Sequence, residues 1–486
     1  MTYPPNGSAA PPGRGAAPTV PTGPPVPPQA TRGATDPAPA PAAPARRTAW
    51  AEGVDRLRSA ATTEPGRLRL IGAVLALLVV AFGATTAWQM TDRSAAADDV
   101  LHSSQPLTAD AADIYRSLAD ANTAASSGFL AGGQEPATVR DRYEKDIKTA
   151  AAKLVTAAAS TNPGTPSAMT IAKLNTLLPE YKGLIERARA NNRQGFPLGG
   201  AYLRYANQKM QTEMLPAAED LYKNENQRLR DDYDSATPYP WIAIALGVLA
   251  LAALAWAQRR HYRRTNRVFN QGMLAATAAS VIVLLWLVVG HTVARSGLNA
   301  SYDDGVRSLN VLHDASIASL KARGSENLTL VSRGAETVSV GGETKDKYDV
   351  DFQQQMNTLA AKLKTADSMA GGDKAASTPV DGANGAMQEW RKRHTDARAK
   401  DDAGNYQGAL DKVIGGAKGD KPTGECFDQV DLNLDKALAH EQRQFSADAG
   451  DGRDAMTGLP FGAALLAVLA AAGAVFGIGR RLSEYR

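Results

Sequence analysis

The candidate chemistry of this chain lies in six histidines, one cysteine and two similar clusters of acids and bases. His102, His261, His291, His313, His394 and His440 are scattered without the spacing of a metal site, and they read as surface or bundle-flank residues. Cys426 stands alone, which rules out an intramolecular disulfide and a Cys-based metal centre. It reads as a half-buried small apolar residue beside Phe427, with an intermolecular bridge as the alternative. Asp141, Arg142 and Asp146, and again Asp346, Lys347 and Asp351, could form ligand sites. The reading favoured is a solvated helix face beside Tyr143 or Tyr348. There is no phosphate-binding glycine loop, dinucleotide fingerprint, H-E-x-x-H zinc motif or nucleophile elbow. The expectation is a protein that is not an enzyme and holds no cofactor or metal.

The elements that would position these residues are set by four apolar runs. Residues 70–90, 240–257, 272–290 and 459–478 are each about the ~20 residues that cross a bilayer as a helix. Between the second and third runs lies QRRHYRRTNRVFNQ (258–271), with Arg259, Arg260, Arg263, Arg264 and Arg267. So short a cationic loop resists translocation and belongs on the cytoplasmic side. The charge partition agrees. Residues 1–69, the loop and the tail after Ile478 carry +4, +5 and +2, whereas 91–239 and 291–458 carry −2 and −5. This predicts a multi-pass plasma-membrane protein with both termini cytoplasmic. The arginines flank membrane helices and lack regularly spaced aromatic partners, so no nucleic-acid partner is expected. Polar residues inside the runs are few (Thr85, Thr86, Gln89, Thr277, Ser280), which makes a transport component the weakest reading.

Residues 1–48 are dominated by Pro, Ala, Gly and Thr and predict a disordered cytoplasmic tail. Thr19, Thr22, Thr31, Thr35 and Thr48 are candidate phosphate acceptors there. Residues 49–66 suggest a short surface helix at the inner leaflet. In 91–239, Tyr143, Ile147, Ala151, Leu154 and Ala158 share one helical face, as do Ile171, Leu174, Leu178, Tyr181, Ile185 and Ala188. Breakers at 128–136, 160–166 and 195–200, with a returning helix through Tyr202, Tyr205, Leu215 and Leu221, predict four antiparallel helices and no strands.

The segment 291–458 repeats this plan. Asp98-Asp99 recurs as Asp303-Asp304, and DRYEKDI (141–147) as DKYDVDF (346–352). The stripe continues through Tyr348, Phe352, Met356, Leu359 and Leu363. Glu180-Tyr181-Lys182 matches Glu389-Trp390-Arg391, and Pro240-Trp241 matches Pro460-Phe461. Extra residues of the second copy are expected as loops in GGDKAASTP and GGAKGDKPTGE. The repeat predicts equivalent buried positions for Tyr143 and Tyr348. The prolines Pro238, Pro240 and Pro460 predict a kink where each bundle rejoins its span. The fold class expected is an all-α membrane protein with four transmembrane helices, two duplicated extracytoplasmic helical bundles and a disordered N-terminal tail. The last piece, 479–486, is a short cytoplasmic end.

The two exported segments, through EYK…ARANNRQG and EWR…ARAKDDAG, resemble the four-helix sensor modules of chemoreceptors and histidine kinases. The chain lacks the HAMP domain, methylated coiled coil or kinase of that family. Its whole plan, with low Cys and Ala-, Gly- and Arg-rich usage, is similar to the GlnX-type membrane proteins of actinobacteria. That resemblance implies a relay from an extracellular amino-acid-binding lipoprotein to a cytoplasmic Ser/Thr kinase, protein kinase G. The partners expected are therefore the membrane, a solute-binding lipoprotein, such a kinase and a second copy of the chain. A structural scaffold of the cell envelope is the alternative.

Overall fold

A computed structural model describes residues 63–265, 270–415 and 421–482. The tail over 1–48 with its threonines, Arg267, the glycine-rich stretch 416–420 and residues 483–486 lie outside these. The described residues are almost wholly helical. The helices are α1 (Glu64–Asp99), α2 (Gln105–Leu130), α3 (Ala137–Ser160), α4 (Pro166–Arg193), α5 (Leu198–Lys209), α6 (Leu215–Ala236) and α7 (Trp241–Thr265). The second half contains α8 (Gln271–Ala300), α9 (Arg307–Ser332), α10 (Lys347–Met369), α11 (Lys374–Asp402), α12 (Tyr406–Ile414), α13 (Thr423–Asp454) and α14 (Leu459–Leu482). Single π-helical turns at Val100–Ser104 and Ser301–Val306 join α1 to α2 and α8 to α9 without a break, and a third at Met210–Met214 joins α5 to α6. A π turn adds about one residue to the turn and each rod continues, although Pro106 and Pro216, just after two of these turns, donate no backbone N–H. By contrast, α6 is separated from α7 by residues 237–240, and α13 from α14 by 455–458.

Among the described residues four helical rods are long and apolar enough to cross a membrane, as in a multi-pass membrane protein. Their spans α1, α7, α8 and α14 pack as a ring, each against its two neighbours in the order α1, α7, α8, α14. Small residues face inward (Ala250, Ala257, Ala276, Ala470 and Ala474 are buried), while Leu77, Trp88, Trp241, Phe461 and Phe476 project outward. Such an inward small-residue face lets backbones approach closely where lipid offers no hydrophobic drive for association. At Gly272 a Cβ would fall 2.7 Å from the Gly477 backbone, so α8 and α14 meet through glycine. Gln258 Nε2 donates to Thr277 Oγ1 at 2.7 Å and Asn270 Nδ2 to the Gly477 carbonyl at 2.7 Å. The basic stretch is mostly helix and not loop. Arg259, Arg260, Arg263 and Arg264 lie on the end of α7, with Arg260 resting 5.6 Å from the Trp256 ring.

Helices α2 to α6 form one bundle and α9 to α13 the other, and the two touch chiefly through α2 and α9. The predicted stripe of α4 is buried throughout. On α3 the buried face is Tyr143, Ile147, Ala150, Leu154 and Ala157, which replaces the expected Ala151 and Ala158 by their neighbours. Tyr205 is exposed, because the returning helix turns Leu203 and Ala206 inward instead. In the second half Phe352, Met356, Leu359 and Leu363 are buried as expected, but Tyr348 is only partly covered. It occupies the first turn of α10, just after an antiparallel hairpin of β1 (Thr337–Val340) and β2 (Glu343–Asp346). No strand was expected, and the first half has no counterpart among its described residues. Asp98-Asp99 ends α1 directly before its π turn, and Asp303-Asp304 lies inside the other. One further expectation is corrected. GGDKAASTP is loop only to Asp373, where the Asp side chain accepts from Ala375 N at 2.7 Å and starts α11.

Candidate functional site

The third helix of each bundle inserts an aromatic side chain against a polar group on the first. Tyr181, fully buried, donates its hydroxyl to Asn122 Oδ1 at 3.2 Å. Trp390, also fully buried, donates Nε1 to the Glu326 carboxylate at 3.2 Å. The first bundle keeps this layer neutral, since Asn122 passes its amide to Asn207 Oδ1 at 2.8 Å. The second ionises it. Glu326 accepts from Arg323 Nη1 at 2.5 Å, Thr423 Oγ1 at 2.9 Å and His394 Nδ1 at 3.0 Å. The other ring nitrogen, His394 Nε2, reaches Asp349 Oδ1 at 3.0 Å, and the imidazole stacks on Phe352 with ring centres 3.6 Å apart. Burial opposes charge at both Glu326 and His394, yet the partners win. Arg323 and His394 hold the Glu326 pKa below the usual range, and the two carboxylates raise that of His394. With both nitrogens facing carboxylates, His394 is an imidazolium donating twice.

Between the bundles, at the ends where α2 and α9 finish, is a cavity of about 680 Å³. Its walls come from the end of α2 (Asp120, Thr123, Ser127, Leu130), the start of α3 (Val139, Arg142), Arg323 of α9, α12 (Leu410, Asp411, Ile414) and the start of α13 (Glu425, Phe427, Asp428). Arg142 clasps the two sides together. Its guanidinium donates to Asp120 at 2.8 Å within its own bundle and to Asp428 at 2.7 Å in the other, and lies 5.1 Å from the Phe427 ring. Arg116 and Asp435 make a second cross-bundle pair. Asn327 Nδ2 donates to Ser127 Oγ at 2.8 Å.

The sequence reads Arg142 and Asp146 as a solvated helix face, and the structure overturns this, because Arg142 donates to Asp428 of the second bundle and Asp146 is partly buried beside Asp120. Asp141 remains exposed, and Asp346 serves as the N-cap of α10 by accepting from Asp349 N at 3.0 Å. Tyr143, Ile147, Tyr181, Phe352 and Trp390 are core residues and do not line the cavity. Cys426 is a buried free thiol beside Phe427. His394 and His291 are buried and not on a flank. The sequence did hold a signal for His394. It falls in the apolar series Ala383, Met387, Trp390, Ala397, where a polar residue must find buried partners.

Asp146 and Asp120 lie together beside Arg142, and each has one buried carboxylate oxygen without a donor. A single shared proton satisfies both. Burial and the Asp120 charge push the Asp146 pKa up to about 8. A carboxyl raised in the folded state contributes stability that declines as pH climbs from its unfolded value of 3.8 towards about 8. Asp146→Asn, which supplies a permanent N–H donor, is therefore expected to be more stable than the parent at pH 8. The gain should be on the order of 1–2 kcal/mol, reduced because the pair is partly solvated. Thermal melts of the detergent-solubilised protein from pH 5 to 9 check this. An Asn variant less stable than the parent at pH 8 rules out the shared proton.

Residues 96–234 match the family model of an actinobacterial sensor domain. The matched stretch opens in the last turn of α1 and runs to the last turn of α6, so it coincides with the first bundle. The match supports a sensor protein of actinobacteria. No curated protein and no solved structure matches the chain.

Proposed function

We propose that the protein is a non-enzymatic transmembrane sensor or signal relay, with both bundles outside the cell and both termini and the α7–α8 connection in the cytosol. The observation that carries this reading is the continuity of the matched sensor segment with span α1 through an unbroken rod from Gly66 to Leu130. Whatever moves the first bundle is thereby tied to the membrane. The positive charge of residues 1–69, 258–271 and 479–486 supports this orientation. The GlnX-type plan supplies the partners: an amino-acid-binding lipoprotein on the outside and a cytoplasmic Ser/Thr kinase as output. The five arginines of the 258–271 stretch (Arg259, Arg260, Arg263, Arg264 and Arg267) fix topology as their main job and supply positive charge to that output besides.

Two measurements test the reading together. Single cysteines placed in 1–48 are expected to resist a membrane-impermeant thiol reagent in intact cells, while those at 160–166 react. The Arg263→Gln/Arg264→Gln double variant keeps the flanking arginines for orientation and should insert normally while weakening the cell's response to extracellular amino acids. Labelling of the tail would overturn the topology. An unchanged response both in that variant and in a deletion strain would replace the relay with an envelope scaffold.

A further inference from the structure

We propose that protons work the contact between the bundles: its α3–α13 edge stays shut while the carboxyls there share protons, and opens about the α2–α9 core as the surrounding solution turns alkaline. This gives the sensor reading above a regulator, and rests on that reading only for which solution is sensed. Asp120 of α2, Asp146 of α3 and Asp431 of α13 gather beside the guanidinium of Arg142, which donates to Asp120 at 2.8 Å and to Asp431 at 3.4 Å. These three form the covered part of the edge. The Asp120 and Asp431 side chains are 13% and 23% exposed, whereas Asp428 and Asp435, at 57% and 46%, stand on its wet rim. A single guanidinium cannot offset three carboxylates, so full ionisation sets like charges of the two bundles against each other.

The geometry itself calls for a proton. Asp120 Oδ1 and Asp146 Oδ2 are buried, belong to neighbouring carboxyls and have no donor. Between two such oxygens only a proton fits. The charges around the edge are already matched. Arg116 pairs with Asp435 and also faces Asp431 and Asp113, and Asp113 is answered by Lys153 of α3 at 3.2 Å. On α9, Asp314 is answered by Lys362 at 2.7 Å, and burial pushes the His313 pKa down to about 4, so that imidazole brings no positive charge. Glu425 of α13 meets Arg393 at 3.4 Å, and Lys145, beside Asp146, is exposed to water. Burial and the Asp120 charge push Asp146 up to about 8; burial with Asp120 and Asp435 pushes Asp431 up to about 6. Both lie above the 3.8 of a carboxyl freed to water. Support for the shut edge is therefore greatest below that value and falls as pH climbs, the last of it going near pH 8. The pivot does not titrate, because Leu118 of α2 and Leu312 and Ala315 of α9 belong to one hydrophobic core.

The test is electron–electron double resonance on the full-length protein in lipid nanodiscs, in a Cys426→Ala background. Spin labels replace the exposed Lys148 of α3 and Lys436 of α13. Their separation should lengthen reversibly as pH is raised from 5 to 9, with the change centred between about 6 and about 8. A control pair within the first bundle, at Lys148 and Lys182, should not move. The Asp146→Asn/Asp431→Asn double variant should keep the edge shut throughout. A separation constant with pH in the parent, an opening on the acid side, or the same shift in the double variant would each overturn the clamp. Infrared spectra of the parent decide the matter without any substitution at the edge. A protonated-carboxyl band should be present at pH 6 and lost by pH 9, and its absence at pH 6 rules the shared proton out. Nanodiscs expose both faces of the membrane and carry no cellular output. A fixed edge therefore leaves the sensor reading standing, and a failed topology or response test leaves the clamp standing.

Discussion

Glu326→Ala is expected to destabilise the second bundle by about 3–5 kcal/mol, the cost of leaving buried charge without its partner. The carboxylate side chain is 1% exposed and satisfies Arg323, Thr423, Trp390 and His394 at once. Removing it strands a guanidinium and an imidazolium in the same dry layer. Glu326→Gln keeps the volume and part of the hydrogen bonding but loses the charge, so it should fall between Ala and the parent. The pH profile gives a second handle. Glu326 and Asp349 have lowered pKa values, so their contribution is full above their unfolded values of 4.5 and 3.8 and is lost as pH falls through the folded ones. His394 is raised, so its contribution is full below 6.5 and is lost as pH rises through its folded value. The difference between parent and Ala variant should therefore be largest between pH 4.5 and 6.5. Denaturant titration of the solubilised protein across that window measures it, and a difference under about 1 kcal/mol would show the network to be solvated after all.

The second large effect separates two tyrosines that the sequence makes look alike. Tyr143→Ala should cost about 3–5 kcal/mol, the range for emptying a buried aromatic site. Tyr143 is 2% exposed and Arg189 lies 4.2 Å from its ring centre, held there by Glu135 at 3.0 Å. Tyr348→Ala should cost less than about 1 kcal/mol, as for a partly solvated position away from any network. Equal losses in the two variants would mean that the first turn of α10 is as tightly packed in solution as Tyr143 on α3.

The apolar runs and helical stripes were legible because the physics that sets them is local. A bilayer demands a length, and a bundle demands a period of 3.6. The order of helices in the two halves, and the buried pairs Tyr181 with Trp390 and Ile147 with Phe352, could be read from spacing alone. What the stripe on α3 could not reveal was its opposite side. Arg142 and Asp146 stand on a charged face that looks solvated until a second bundle is laid against it, and nothing within α3 specifies that partner. Glu326 and Arg323 carry no sign of burial in the sequence, for a related reason. Charges in a long amphipathic helix are usually on the wet side, and only the non-local approach of Trp390, His394 and Thr423 puts these two inside. The hairpin at 337–346 is not legible in the sequence, because two four-residue strands are too short for a period-2 pattern to stand out.

The difference between the rods that leave the spans and those that return has a mechanical meaning. A helix that runs on through a single π turn, as these do despite the missing N–H of Pro106, is the stiffer shaft, whereas one interrupted for four residues acts as a joint. The shafts are α1–α2 and α8–α9, and they bear on each other where α2 meets α9, beside the cavity. Across the ring of spans they stand at opposite corners, with the jointed pair α7 and α14 between them. Load applied at the distal ends would thus enter the bilayer mainly along one diagonal, with the other diagonal following.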